Sequence, residues 1–200
     1  SDASRSLRST CGPGGAMDFD ESPEEAAFRA EARAFLEAHA APFASAALDD
    51  ERSIFITDHV AEQAYVRRCC DWQRVKFDHG WAGITWPKAY GGRGGTSMQD
   101  GIFRREEAQF LNASGVFAVG IGMAGPTIIA HGTEAQKQRF LGPMLRGEEV
   151  WCQLFSEPNA GSDLGGLATS AVRDGDEWVV NGQKIWTSGA QYAKFGILIA

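Results

Sequence analysis

The sequence lacks any long apolar run. Nothing in its 200 residues approaches the roughly 18 consecutive apolar residues of a membrane-spanning helix, so no membrane span is expected. Residues 1–16 are small, polar and Gly-rich, without the hydrophobic centre that a secretory signal needs. Met17, followed by acidic residues, reads as the native start, and 1–16 as an expression remnant or a disordered extension. Cysteine is scarce too. Of four, Cys69 and Cys70 are adjacent, Cys11 lies in the tail and Cys152 sits in an apolar run, which is no disulfide framework. There is no CxxC, and His39, His59, His79 and His131 form neither HxxxH nor HExxH, so no metal site is expected. Basic excess is also missing. A net charge of −7 excludes nucleic acid held by general electrostatics. The remaining composition, 44% apolar, is that of a globular chain, and a reducing cytoplasmic location is expected.

The first part of the chain has helical periodicity. Ser22-Pro23-Glu24-Glu25 combines a capping Ser, a first-turn Pro and a Glu at the third position. Ala27, Phe28, Ala34, Phe35 and Leu36 then recur at helical spacing until about Pro42. A second helix is expected from Thr57 to about Asp78, with Val60, Ala64, Cys69, Trp72 and Val75 facing inward. Residues 80–95 form a loop rich in Gly, Trp and Pro. Thr96-Ser97-Met98-Gln99 opens a helix running to Asn112. An apolar stretch from Val116 to Ala130 is broken by Gly125-Pro126, and Thr133-Glu134-Ala135-Gln136 caps a last helix to about Arg146.

After Gly147 the period changes. Strands are expected at 150–155, 167–173, 177–180, 183–186 and 195–200. Asn181-Gly182 supplies a strong two-residue hairpin signal, and Asp174-Gly175 marks a second turn. The expected architecture is α+β: an N-terminal all-α domain over 17–147, then an antiparallel β-domain over 148–200. The chain stops within an apolar strand at Ala200, as a truncated sheet would, or one whose pairing partners come from another chain.

The most informative segment follows the first strand, as Gln153-Leu154-Phe155-Ser156-Glu157-Pro158-Asn159-Ala160-Gly161-Ser162-Asp163. Small residues, a Pro and a Gly let the backbone turn sharply and approach a ligand closely. Ser156 and Ser162 add hydroxyls. On chemistry alone this is either an anion-binding loop or an ordinary turn. About twenty residues on stands Asn181-Gly182-Gln183-Lys184-Ile185-Trp186-Thr187-Ser188-Gly189. The helical half holds Trp81-Ala82-Gly83-Ile84-Thr85-Trp86-Pro87-Lys88-Ala89-Tyr90-Gly91-Gly92-Arg93-Gly94-Gly95.

These three segments, in this order, resemble the motifs of the acyl-CoA dehydrogenases. That family has an acidic-Pro-x-Ala-Gly-Ser-Asp loop against its flavin and an Asn-Gly-x-Lys-x-Trp-Ile-Thr-Asn-Gly segment beyond it. The departures are Asn159, where Gly is frequent, and Thr187-Ser188-Gly189 in place of Ile-Thr-Asn. Both keep the needed atoms: a short loop residue and a hydroxyl.

The resemblance implies FAD as cofactor, with Gln153, Leu154, Phe155, Ser156, Gly161, Ser162, Trp186, Thr187 and Ser188 contacting it. Trp186 would cover the ring, Ser188 would bond the reactive N5, and Ser162 would also meet the CoA arm. It implies a hydride passed from an acyl-CoA to flavin N5 and electrons passed on to an electron-transferring flavoprotein, in a homo- or hetero-tetramer. The general base, a carboxylate, would come from beyond Ala200, so no catalytic residue is expected in this chain. An acyl-CoA oxidase, a flavin monooxygenase of the same fold, and a non-catalytic partner subunit are the alternatives. The apolar stretch and the Trp-Cys-Gln-Leu-Phe-Ser run resemble bacterial members handling bulky acyl groups, including steroid side chains. Glu106 and Glu107 are expected on a solvated helix face, and Glu157 to shape its loop. Trp81 and Trp86 are expected as packing between helices, and Met98, Phe103, Phe110 and Met123 as core or acyl-pocket wall. Cys152 is expected as a strand-core residue.

Overall fold

The computed structural model describes residues 21–43, 58–110 and 115–200. The 1–16 extension, Cys11, Met17, the helix start at Thr57 and the helix end at Asn112 lie outside the described residues.

Helix α1 spans Pro23–His39. Its start is fixed locally: the Ser22 hydroxyl accepts from the Glu25 amide at 3.2 Å, and the Glu25 carboxylate accepts from the Ser22 amide at 2.9 Å, which satisfies two donors the helix leaves open. Asp58 caps α2, His59–Asp78, by accepting from Val60 and Ala61. Helix α3 is Ser97–Phe110, preceded by a reciprocal Thr96–Gln99 bond pair. Then come a π-helical turn at Gly120–Ala124, α4 at Gly125–His131 and α5 at Glu134–Leu145, capped by Thr133 and Gln136. The interruption at Gly125-Pro126 has a tertiary cause. A Cβ on Gly125 would stand 2.1 Å from the Trp86 ring, so only glycine lets this helix start against that indole.

Two apolar clusters hold the helices together. In the first, Phe35 of α1 stacks on Trp72 of α2 and on Trp81, and Trp81 stacks on Phe103 of α3 at 5.0 Å. The Arg93 guanidinium covers the outer face of Trp81 at 4.1 Å. The second gathers Trp86, Leu141, Met144 and Leu145 around Trp151, the first residue of the sheet region. Trp81 and Trp86 are therefore packing residues, as expected. On α2 the inner face is Cys69, Trp72, Gln73 and Lys76, whereas Val60, in the first turn, is 73% exposed. Met98, at the start of α3, is likewise exposed and forms no pocket wall.

A small sheet region follows the helices. Strand β1, Trp151–Leu154, pairs in parallel with β4, Phe195–Leu198, in the register Trp151↔Phe195 to Leu154↔Leu198. Strands β2, Ser170–Asp174, and β3, Glu177–Asn181, form an antiparallel hairpin. The helical-then-sheet order agrees with the sequence. Strand direction and turns differ in three places. The β1–β4 pair is parallel rather than antiparallel, its partners being separated by the whole intervening hairpin. The hairpin closes at Gly175-Asp176, with Gly175 at φ 61°. Asn181-Gly182 is no turn: Asn181 pairs with Ser170 as the last rung, and a Cβ on Gly182 would be 2.1 Å from Thr169 Oγ1. Glycine is there for a close approach, and residues 183–186 form no strand.

Candidate functional site

Strand β1 delivers Gln153 and Leu154, both half-buried, to the 155–163 loop. The loop doubles back at once. Glu157 and Ala160 exchange backbone bonds of 2.7 and 3.2 Å across Pro158-Asn159, which is why two small residues and a proline are needed there. Phe155 and Ser156 remain half-buried, while Gly161 and Ser162 are exposed.

Lys184 and Glu157 fasten the loop to the second motif. The Lys184 ammonium donates to Glu157 Oε1 at 2.8 Å and to the Phe155 carbonyl at 3.0 Å. The Ile185 amide donates to the Ser156 carbonyl at 2.9 Å. Glu157 also accepts from the amides of Ala168 (2.7 Å) and Thr169 (3.0 Å). The Lys184 ammonium, with Thr169 and the Ala168 amide, pulls the Glu157 carboxyl down to about 2. A carboxylate so well held cannot serve as a proton acceptor near neutral pH. Glu157 shapes its loop, as expected. The Glu157–Lys184 tie itself is a feature that sequence reasoning missed; a Glu just before Pro158 and a Lys two residues before Trp186 were its only signal.

Immediately after Ile185 the chain strains. Trp186 has φ 56°, the left-handed region, and its side chain is 83% exposed. Such a backbone costs a bulky residue about 1–2 kcal/mol, and here the strain turns an indole outward beside the clasped loop. The chain then tightens: the Ser188 amide donates to Trp186 O at 3.0 Å and the Ala190 amide to Thr187 O at 3.2 Å. Thr187 is half-buried and Ser188 exposed. Gly189, at φ 79°, abuts Tyr192, whose ring packs onto the first helical cluster. The structure thus joins Gln153–Ser156 to Trp186–Ser188 through Lys184 and Ile185. Gly161 and Ser162 stand beyond the Pro158 turn and are exposed.

Glu106 and Glu107 are not on a solvated face. Glu106 is 1% exposed and bonded to Arg29 and Arg33 of α1. Burial raises its carboxyl pKa, but the bonds from Arg33 and Arg29 outweigh that, and it lies below its usual range. Glu107, 7% exposed, accepts from Trp72 Nε1 at 2.7 Å and is ion-paired with Lys76 Nζ at 3.0 Å. Their partners lie on other helices, invisible to a reading of α3 alone. Glu107 and Lys76 also border a cavity of about 410 Å³ between α2, α3 and the π-helical turn. Cys152 is a buried strand residue whose thiol is raised by desolvation. No group of His, Cys, Asp and Glu among the described residues could hold a metal ion, and no described helix is long and apolar enough to cross a membrane.

Residues 22–148 match the family model for the acyl-CoA dehydrogenase N-terminal domain. The chain belongs to the acyl-CoA dehydrogenase family. Residues 152–200 match that family's middle domain, so the clasp and Trp186 fall within the middle-domain match. Acyl-CoA dehydrogenase FadE29 of Mycobacterium tuberculosis is 37% identical over 181 residues, covering 90% of this chain and 43% of that protein. Acyl-CoA dehydrogenase IpdE1 of the same organism is 44% identical over 122 residues, 60% of this chain and 32% of that protein. Among solved structures, the ChsE4-ChsE5 complex from Mycobacterium tuberculosis matches at TM-score 0.70 and 35% identity, over 90% of this chain and 43% of that one. The Tcur3481-Tcur3483 steroid ACAD matches at TM-score 0.68 and 33% identity, over 90% and 44%. The chain thus spans less than half the length of these relatives.

Proposed function

We propose that the protein containing this chain binds FAD and oxidises an acyl-CoA thioester between its α- and β-carbons. The clasp between the two motifs, with the outward Trp186 beside it, is the observation that carries this reading. The residues suit a flavin. An exposed indole held at a cost in backbone strain offers an aromatic face, and half-buried Gln153, Leu154, Phe155 and Ser156 lie on the segment to which Lys184 and Ile185 bind. Bound FAD supplies the acceptor for a hydride from the β-carbon.

In this reading Trp186 covers the ring face and keeps water off it. Ser156 and Ser188 would present hydroxyls to a bound flavin, Ser188 at its reactive nitrogen, and Thr187 supports the turn through its carbonyl. Gly161 permits close approach while Ser162 donates to a phosphate or to the CoA arm. The clasp holds these groups in place before ligand arrives, which lowers the cost of ordering them. The α-proton needs a carboxylate in a dry pocket, with a raised pKa. Every acidic side chain with a resolved shift among the described residues is lowered, and Glu106, Glu149 and Glu157 are ion-paired. Glu107, on the cavity, is paired with Lys76, and this reading places the base elsewhere in the assembled protein. Electrons then pass to an electron-transferring flavoprotein, in a homo- or hetero-oligomer.

The matched ChsE4-ChsE5 complex pairs two different chains, which favours one second reading, a partner subunit that lacks a complete site. Flavin content separates the two. Purified full-length protein is expected to carry about one FAD per chain, and Trp186→Ala to lose most of it. No flavin after incubation with FAD would sink the catalytic reading.

A further inference from the structure

We infer that the acyl group taken by this protein carries a neutral oxygen function, a hydroxyl or ketone, at its far end. This rests on the proposed dehydrogenation and names the substrate class. The observation is the cavity of about 410 Å³, within the range of small-ligand sites. Trp81, Trp86, Phe103, Phe117 and Ile121 give it flat apolar walls, while Gln73, Lys76 and Glu107 make one part of the wall polar. At Gly122, on the π-helical turn, an added Cβ would meet nothing within 4 Å, so the space there is open. The next-but-one residue back, Gly120, lies against Trp151 of β1, and β1 runs straight into the 155–163 loop. One turn of helix thus separates the cavity from the strand that delivers the flavin motif.

The polar part has unused hydrogen-bonding capacity. Lys76 is 6% exposed, and its ammonium has three donors. Among the described residues it is ion-paired with Glu107 Oε1 at 3.0 Å; the Trp72 ring lies 5.9 Å away. Glu107 Oε1 also takes the Trp72 indole N–H, and Oε2 has no hydrogen bond among the described residues. Gln73 spends its Nε2 on the Leu145 carbonyl at 3.0 Å, leaving its Oε1 unengaged there. These atoms face the cavity and are not among the fully buried unpartnered ones; a ligand that fills the cavity displaces their water, so one that matches them is favoured over one that does not.

The charge balance selects the kind of ligand group. Lys76 and Glu107 neutralise each other, as do Arg104 and Asp100 elsewhere in the same lining, so a further charge on the ligand would find no unpaired counterion between the aromatic walls. A terminal carboxylate would also face Glu107 Oε2. A ketone accepts from Lys76 without added charge. A hydroxyl accepts from Lys76 and donates to Glu107 Oε2 or Gln73 Oε1. A plain methyl end leaves all of them unmet.

The test uses full-length flavin-loaded protein and acyl-CoA pairs of equal length, one with a plain alkyl end and one with a distal ketone or hydroxyl. Turnover is followed with an artificial electron acceptor. We expect kcat/KM to favour the oxygenated member by at least about tenfold, the scale of a hydrogen bond to a charged group. In the volume-matched double variant Lys76→Met/Glu107→Gln that ratio should fall below about twofold. Equal kcat/KM for both members in the unmodified protein would overturn the inference, as would a ratio that survives in a folded double variant. Should the double variant not fold, Gln73→Met must lower the ratio at least threefold, and an unchanged ratio there overturns the inference. Bleaching of the flavin by either member would still support dehydrogenation, so the two readings fail separately.

Discussion

The Glu157 carboxylate is held near 2 against an ordinary value of 4.5, and the sign of the consequence follows from linkage. A group depressed on folding contributes stability above its unfolded value, and loses it as pH falls through its folded one. The clasp should therefore weaken between about pH 4.5 and 2. Glu157→Gln is expected to melt lower than the unmodified chain at pH 7, with the two melting temperatures converging across that window. Parallel curves would remove Glu157 from the account. Trp186 gives a second outcome at this scale. Trp186→Gly relieves the left-handed backbone and should raise the stability of flavin-free protein by about 1 kcal/mol, while flavin retention falls. A variant less stable without flavin would mean that the indole serves folding rather than ligand. Both residues sat in motifs legible from the sequence. The tie through Lys184 did not, because it joins positions 27 residues apart through side chains whose direction no local pattern sets.

Elements divide the same way. Starts of α1 and α5 were readable because a capping box is complete within four residues, and its chemistry does not depend on the rest of the fold. Ser22→Ala is expected to cost about 1 kcal/mol in urea titrations. Where a glycine answers to a distant neighbour, the sequence misleads. Asn181-Gly182 looks like a hairpin turn, yet Gly182 is small because of Thr169. Gly125 looks like a helix breaker, yet it is small because of Trp86. Gly125→Ala should therefore destabilise by about 1–3 kcal/mol, an overpacking cost, where an ordinary helix would gain from alanine. A neutral or stabilising result would mean that the Trp86 indole moves aside freely. Glu106 and Glu107 were misread for a related reason, since neighbouring charges on one helix say nothing about arginines and a lysine supplied by two others.

At the scale of the whole molecule, the helical cluster and the sheet region are tied by few polar contacts. Lys194 and Arg139 share the Glu149 carboxylate, and Gln191 reaches Glu62. The turn after Trp186 is thereby anchored on α2 through Gln191 and Tyr192. The helix-to-strand order and the two family motifs were legible because both are local patterns. The parallel β1–β4 pair was not, since its partners lie on either side of the hairpin and no local pattern sets their direction. The account's central claim is that the clasped motifs hold a flavin that accepts a hydride from an acyl-CoA. It is tested most directly by the visible spectrum of the full-length protein, recorded anaerobically while a panel of acyl-CoAs is added. The account requires a bound-flavin spectrum that bleaches with one class of acyl chain. A flavin spectrum unchanged by every acyl-CoA, or no flavin at all, would contradict it.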